Sequence, residues 1–245
     1  VAVGTLFFGA EFSVVRGNIL DPGAPVISRW APTHGLEAIC NWRNLLVGFT
    51  IFFLARMNGA LYLMNTVSGS DRFLADFRRR AIFNGAVFVV LFLALAAVLF
   101  TGDGYAVENG SVVAVRYKYL LNLLDMWWLL IVLLAGVVLV LAGYAVTLMR
   151  PSCRQGIWWT GTGTVLTIVA LLCDLGYNNT CYMPSLSDPQ SSLTIANSSS
   201  TEFTLTVMSW VSLVIPFVIA YIWVVWKKMN SRPVTESEAD SDHAY

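Results

Sequence analysis

The sequence predicts an all-α integral membrane protein, a polytopic bundle with about six transmembrane helices in this portion. The first observation is composition: 57% of the 245 residues are hydrophobic and 12% are charged, whereas a soluble domain carries roughly a quarter charged residues. The second is the mean hydropathy of +0.66. The third is a series of apolar runs near the 20 or so residues that cross a bilayer. Runs such as AVFVVLFLALAAVLF (86–100) do not alternate as barrel strands do.

The predicted spans are about 1–15, 44–64, 82–101, 127–149, 157–176 and 203–226. The chain opens on an apolar stretch without a Met or a charged leader, so we interpret the first span as the end of one that begins upstream, with an N-terminal part missing. Three tryptophan pairs lie at span ends, as in an interfacial belt: Trp127 and Trp128, Trp158 and Trp159, Trp223 and Trp226. The polar tail 230–245 is predicted to be disordered.

Basic residues predict the orientation. The loops 65–81 and 150–156 and the C-terminal tail carry nine Lys and Arg, the other loops carry five, and the loop 177–202 carries none. Positive charge favours the cytoplasmic side. The C-terminus is therefore expected in the cytoplasm and the loop 177–202 outside.

The sequence argues against several chemistries. Net charge is zero, so no basic face for nucleic acid is expected. The two histidines, His34 and His243, both lie outside the predicted spans. A membrane-buried haem usually has a His, Met or Cys ligand. Without a His beside them, the methionines and the cysteine in the spans are interpreted as packing residues, so no haem or metal site is predicted here. Cys173 and Cys181 both fall near the outer face, where free thiols or a disulfide would fit.

Three charged residues are candidates for interior positions, because charge in lipid is costly. Arg56 lies well inside the second span. It either extends to the cytoplasmic surface or faces the interior and pairs with a carboxylate or a quinone carbonyl. Glu11 and Asp174 lie near the outer ends of the first and fifth spans, where each either reaches water or is buried.

Small residues form two stripes that predict close helix packing. The fifth span carries Gly163, Thr167 and Ala170, and the sixth carries Thr206, Ser209, Ser212 and Pro216. Before the sixth span, Ser199 and Glu202 have the spacing of a capping box, so they are predicted to cap that helix.

The hydroxyl-rich segment before the last span carries a family resemblance. YMPSLSDPQSSLTIANSSSTEFTLTVMSWVSLVIPFVIAYIWVVWKKM (182–229) closely resembles the C-terminal region of subunit II of cytochrome bd-type quinol oxidases. FFLARMNGALYLMNTVSG (52–69), GTLFFGAEFSVV (4–15) and GTGTVLT (161–167) are similar to further segments of that family. The resemblance extends over nearly the whole chain.

The resemblance implies a haem-free subunit that supports a haem-bearing subunit I in a heterodimer, with haem b and haem d groups in that partner. The complex would pass electrons from quinol to O2, forming water and a proton motive force in the bacterial inner membrane. The resemblance also allows a bound quinone and a small third subunit. The subunit would not be catalytic alone. The alternative from the residues is a transporter or channel subunit, to which buried charges and polar stripes are also suited.

Overall fold

The computed structural model describes residues 1–15, 28–68, 70–150, 155–229 and 234–235. The long helices are α2 (Trp42–Thr66), α3 (Asp71–Thr101), α5 (Trp127–Met149), α6 (Gly156–Gly176), and the pair α8 (Glu202–Ser212) and α9 (Ile215–Met229). Among the described residues, five segments are long and apolar enough to cross a membrane, and the last is α8 with α9. These five correspond to the predicted spans from 44–64 onward, and the chain is an all-α polytopic membrane protein.

The first predicted span is corrected by the structure. Residues 1–15 hold only a short helix, α1 (Gly4–Phe8), followed by the strand β1 (Phe12–Val14). Gly9 ends α1 with φ of 82°, a left-handed conformation that glycine adopts without strain. A Cβ there would lie 2.7 Å from the carbonyl oxygen of Pro184. The helix therefore stops at Phe8, and the chain turns to pair with β2 (Ser28–Trp30).

Short elements gather at one end of the bundle. The strands β4 (Asp103–Glu108) and β5 (Ser111–Arg116) form an antiparallel hairpin after α3, and α4 (Lys118–Asp125) follows it. Single bridges join Ala106 to Thr180 and Ala10 to Ser185. The segments after α1, α3 and α6 thus share one end, which the positive charges predict to be the outer one. At the other end, β3 (Val67–Ser68) pairs with β6 (Val234–Thr235).

Helices α5 and α6 lie in close contact, and glycines make it possible. A Cβ on Gly136 would lie 2.6 Å from Thr167 Oγ1, and one on Gly143 would lie 2.7 Å from Thr160 Cγ2. Small residues let membrane helices approach to backbone contact. A second core forms between α2, α3 and α5, where Met57, Phe88 and Val140 are buried.

The last span is broken and stands apart from this bundle. Pro216 is the second residue of α9 and has no N–H to donate. At the break, backbone amides bond to carbonyls three residues earlier, as Val214 N does to Val211 O at 3.0 Å. No residue of α8 or α9 is buried within the chain. The Trp226 ring lies 6.1 Å from that of Tyr62, beside a cleft of about 720 Å³ that also borders α6.

Candidate functional site

The predicted outer end of the bundle encloses a polar cluster around Asp174, in the last turn of α6. Asp174 is 1% exposed, and neither carboxylate oxygen has a hydrogen-bond partner among the described residues. Of the two alternatives for this residue, water at the surface or burial, the structure shows burial. An unpaired buried polar group costs free energy, so this carboxyl is a candidate for a functional role.

Amide side chains surround Asp174 without reaching its carboxylate. Asn122, fully buried on α4, donates its amide to the backbone carbonyl of Asp174 at 3.1 Å and to Thr180 Oγ1 at 2.7 Å. Asn178 in turn donates to Asn122 Oδ1 at 3.0 Å and to Asp125 Oδ2 at 3.1 Å. The network therefore ties α4, α6 and the loop after α6 together.

Three titratable groups border this network from α4 and the loop. Burial lowers the pKa of Lys118, against a smaller opposing effect of the Asp125 carboxylate, and its Nζ donates to the carbonyl of Asn178 at 3.0 Å. Burial raises the pKa of Tyr119, whose hydroxyl donates to the carbonyl of Phe7 at 3.1 Å. Burial also raises the pKa of Cys181 to about 11. Its thiol is therefore protonated at neutral pH and is a poor nucleophile.

Cys173 and Cys181, near the predicted outer end, are free thiols. Cys173 is half-buried and Cys181 is fully buried, and neither is in a disulfide. Of the two possibilities that the sequence left open, the structure has the unbridged one. Cys153 lies outside the described residues.

Hydroxyl groups of the segment 182–199 close the same end of the bundle. Ser185 Oγ donates to the carbonyl of Phe12, and Ser192 Oγ accepts from the Ser185 amide at 3.0 Å. Ser191 Oγ accepts from the amide of Val14 at 2.9 Å. Ser185 and Ser191 thus satisfy backbone groups of β1, and Ser192 satisfies the amide of Ser185, with no buried charge. That function accounts for a hydroxyl-rich segment with little charge.

The residues predicted to cap the last span, Ser199 and Glu202, are not the ones that cap it. Thr201 is the N-cap of α8 and accepts from the amide of Thr204 at 3.4 Å, while Ser199 ends the preceding helix α7 (Ile195–Ser198). Glu202 is only the first residue of α8. The short helix α7 occupies the residues just before Ser199, so the next helix begins only after Thr201. The capping box of α7 consists of Thr194 and Asn197.

Arg56 lies on the surface of the chain, which corrects the expectation of an interior position. The residue is exposed in α2, and its Nε donates to Asn84 Oδ1 on α3 at 3.1 Å. Its guanidinium carbon lies 5.4 Å from the ring centroid of Phe52. The partner found is therefore an amide and not the carboxylate or quinone carbonyl that the sequence suggested.

Glu11 is exposed, so of its two alternatives, water or burial, the structure shows exposure to water. It lies just before β1 instead of inside a helix. Its backbone carbonyl accepts from the amide of Ala31 at 3.2 Å, and this bond continues the pairing of β1 with the segment after β2.

The two small-residue stripes have different surroundings. Gly163, Thr167 and Ala170 lie against α5, and Ala170 is completely buried. The stripe of the last span has no helix partner among the described residues. Its hydroxyls instead donate to carbonyls of their own helix, at distances of 2.9, 2.8 and 2.6 Å for Thr206, Ser209 and Ser212. Pro216 is exposed next to them.

Sequence reasoning missed two buried amides, one beside Arg56 and one in the polar cluster around Asp174. Asn84 and Asn122 are at most 4% exposed, and each makes a hydrogen bond that crosses between elements. An available signal was an amide within an otherwise apolar segment, as in AIFNGAVF (81–88) and YLLNLLD (119–125). Gln190 was also missed; it accepts from the Val112 amide and donates to the Val112 carbonyl, both at 3.0 Å.

Two methionines of the membrane spans pack into an apolar core. Met57 and Met64 are at most 3% exposed and lie in an apolar core. The Met57 sulfur would lie only 3.0 Å from a Cβ on Gly85, so this core is filled. In the parts of the chain that the structure describes, no group of three or more His, Cys, Asp and Glu side chains is placed to hold a metal ion.

Comparison with known families agrees with this architecture. The family described as cytochrome bd terminal oxidase subunit II matches residues 1–229, which include all five candidate spans. No curated protein matches the chain at a significant level. The chain therefore belongs to the family of cytochrome bd terminal oxidase subunit II and is a multi-pass membrane subunit of such an oxidase.

Proposed function

We propose that this chain is the haem-free subunit of a quinol oxidase, and that it supports assembly of a haem-bearing partner. The proposal rests on which possible haem ligands the membrane spans contain. Neither of the two histidines of the sequence falls in a candidate span, and the buried methionines Met57 and Met64 lie in a filled apolar core. Haem b and haem d therefore belong in the partner subunit of a heterodimer.

In this proposal the complex transfers electrons from quinol to O2, which is reduced to water with generation of a proton motive force. The chain is not catalytic alone. Its contribution is a rigid scaffold: the close α5–α6 contact, where Gly136 meets Thr167, and the hydrogen-bonded outer end around Asn122 and Thr180. Family membership favours an oxidase over the transporter or channel alternative.

We further propose a bacterial inner-membrane location with the C-terminus in the cytoplasm. The basic residues support this orientation, nine on the proposed inner side against five on the outer side. The structure groups the loops in the same way, since the segments after α1, α3 and α6 meet at one end. In this orientation, the buried carboxyl of Asp174 lies near the outer face.

The experiment is a haem assay on two preparations. The chain is expressed alone and together with its partner subunit, and each purified sample is tested by pyridine haemochrome. We expect no haem in the first sample and b- and d-type absorbance in the second. Stoichiometric haem on the isolated chain would contradict the proposal, and so would a colourless complex with quinol oxidase activity.

A further inference from the structure

The cleft of about 720 Å³ lies between the last span and the helices α2 and α6. Its walls are largely aromatic and apolar, with Tyr62 from α2, Val165 from α6, and Trp223 and Trp226 from α9. No residue of α9 is buried within the chain. The volume is within the range of about 300–1,000 Å³ that is typical of small-molecule sites. A molecule in this cleft would contact three helices at once.

The mouth of the cleft lies at the membrane surface. Thr66 is the last residue of α2, and Lys227 is two residues before Met229, the last residue of α9. Both line the cleft, together with Trp158 and Trp226 near the same helix ends. Tryptophans are enriched where a span meets the headgroup layer. This end of the bundle is the one predicted to be cytoplasmic.

The cleft is cationic at its mouth and apolar further in. Lys227 carries the positive charge, and no acidic residue of the described chain lines the cleft. The Lys227 ammonium lies 5.3 Å from the centroid of the Trp223 ring and has no carboxylate partner among the described residues. Val165 is nine residues after Gly156, the start of α6, which is roughly 14 Å at about 1.5 Å per residue. A ligand that matches both ends has an anionic head and an apolar tail.

Hydrogen-bond donors accompany the cation at the mouth. Asn65 and Thr66 line the cleft there with Lys227, and in the part of the chain that the structure describes their side chains have no hydrogen-bond partner. An amide, a hydroxyl and an ammonium all donate, and phosphate oxygens are strong acceptors. A quinone ring carries no negative charge, so it would leave Lys227 without a counter-ion.

We propose that the cleft binds one anionic phospholipid, with its phosphate at Lys227 and an acyl chain extending past Val165 into the bilayer. Anionic headgroups attract basic residues at the membrane surface, and Trp and Tyr rings suit the boundary between headgroups and acyl chains. The lipid fills the gap between α9 and the helices α2 and α6. This inference requires only a chain that spans the membrane, so it does not depend on the proposed function.

The first test removes the charge at the mouth. The complex of the full chain with its partner is delipidated in detergent and titrated with phosphatidylglycerol, and bound lipid is counted by native mass spectrometry. Lys227→Gln should weaken binding of the tightest lipid about fivefold, the effect of one basic residue beside an anionic lipid. Lys228→Gln is the matched control, because it removes the same charge outside the cleft lining and should bind as wild type does. Equal affinity in all three proteins, or an equal loss in both variants, would contradict the inference.

The second test fills the cleft. Gly161 lines it, and a Cβ there would meet no atom within 4 Å. Gly161→Leu should weaken phosphatidylglycerol binding by about tenfold or more, because the leucine takes the space of the acyl chain. Gly59→Leu is the control, since its Cβ would also meet nothing within 4 Å and Gly59 does not line the cleft. Wild-type binding in Gly161→Leu would overturn the proposal, and if that variant does not accumulate, Lys227→Gln decides.

Two lipid probes separate a phospholipid from other occupants. Phosphatidylcholine, which has no net charge, should bind the wild-type complex more weakly than phosphatidylglycerol does. Phosphatidylglycerol with a photoreactive acyl chain should label the segment 157–165 of α6, and the label should be lost in Gly161→Leu. Equal binding of the two lipids, labelling of other surfaces only, or a co-purified quinone that Gly161→Leu removes would each count against the proposal. The haem assay tests the proposed function separately.

Discussion

The amide of Asn122 donates to Thr180 Oγ1 at 2.7 Å, and both residues are completely buried. The bond connects α4 to the loop after α6, and the same amide also holds the carbonyl of Asp174 at 3.1 Å. This end of the bundle, the predicted outer one, is thus held by a few uncharged groups. These contacts, together with the glycine contacts of α5 and α6, lead to specific expectations.

Asn122→Leu should destabilise the folded subunit by about 1–3 kcal/mol, the cost of leaving buried acceptors without donors. The measurement is thermal unfolding of the detergent-solubilised complex. Leu124→Ala on the same helix is the control, because Leu124 is 59% exposed. Equal melting temperatures for Asn122→Leu and wild type would show that the network is not a stabilising element.

Gly136→Ala should separate α5 from α6. The new Cβ would lie 2.6 Å from Thr167 Oγ1 and 2.7 Å from its backbone nitrogen, and overpacking of this kind typically costs about 1–3 kcal/mol. Gly161→Ala is the matched control, because its Cβ would meet nothing within 4 Å and alanine favours a helix by up to about 1 kcal/mol. Thermal unfolding should rank Gly161→Ala at or above wild type, with Gly136→Ala below both.

Asp174→Asn should leave the folded subunit as stable as wild type or more so. The carboxylate has no hydrogen-bond partner among the described residues, and the cost of burying it outweighs its attraction to Lys118. Removing the charge therefore removes more desolvation cost than attraction. Asp174→Ala, which deletes the polar group and leaves a small void, serves for comparison. A large loss of stability in Asp174→Asn alone would reveal a partner that requires the negative charge.

The free energy of unfolding should fall as the pH rises from about 9 to 11, in part because the Cys181 thiol loses its proton. The pKa of its thiol is about 11 in the fold, against 9.0 as the ordinary value. The unfolded chain therefore releases this proton first as the pH rises, and the folded state loses stability across that interval. Cys181→Ala should flatten the dependence, as measured by denaturant unfolding at pH 8, 10 and 11. An unchanged slope in that variant would assign the effect to other groups.

Orientation is tested by thiol labelling in a background without native cysteines. Ser187→Cys, exposed in the segment after α6, should react with an impermeant maleimide in intact cells. Asp76→Cys, exposed near the start of α3, should react only after permeabilisation. The reverse pattern would invert the predicted topology.

The sequence by itself determined the fold class and five of the spans, because burial in lipid requires long apolar helices that composition and hydropathy reveal directly. Its hydroxyl-rich segment at 191–200 also carried the family resemblance, and the family is confirmed. Asp174 was among the charged candidates because a carboxylate in an apolar run is visible in any sequence. Whether it reached water remained open.

Only the tertiary structure decided which polar groups meet. It ended α1 at Gly9, where a left-handed φ and contact with Pro184 turn the chain toward β2. It placed Arg56 on the surface beside Asn84, 28 residues further along, and it buried Asn122 against Thr180, 58 residues away. Local spacing cannot reveal such pairs, because the direction in which a side chain points is set by how separate helices pack.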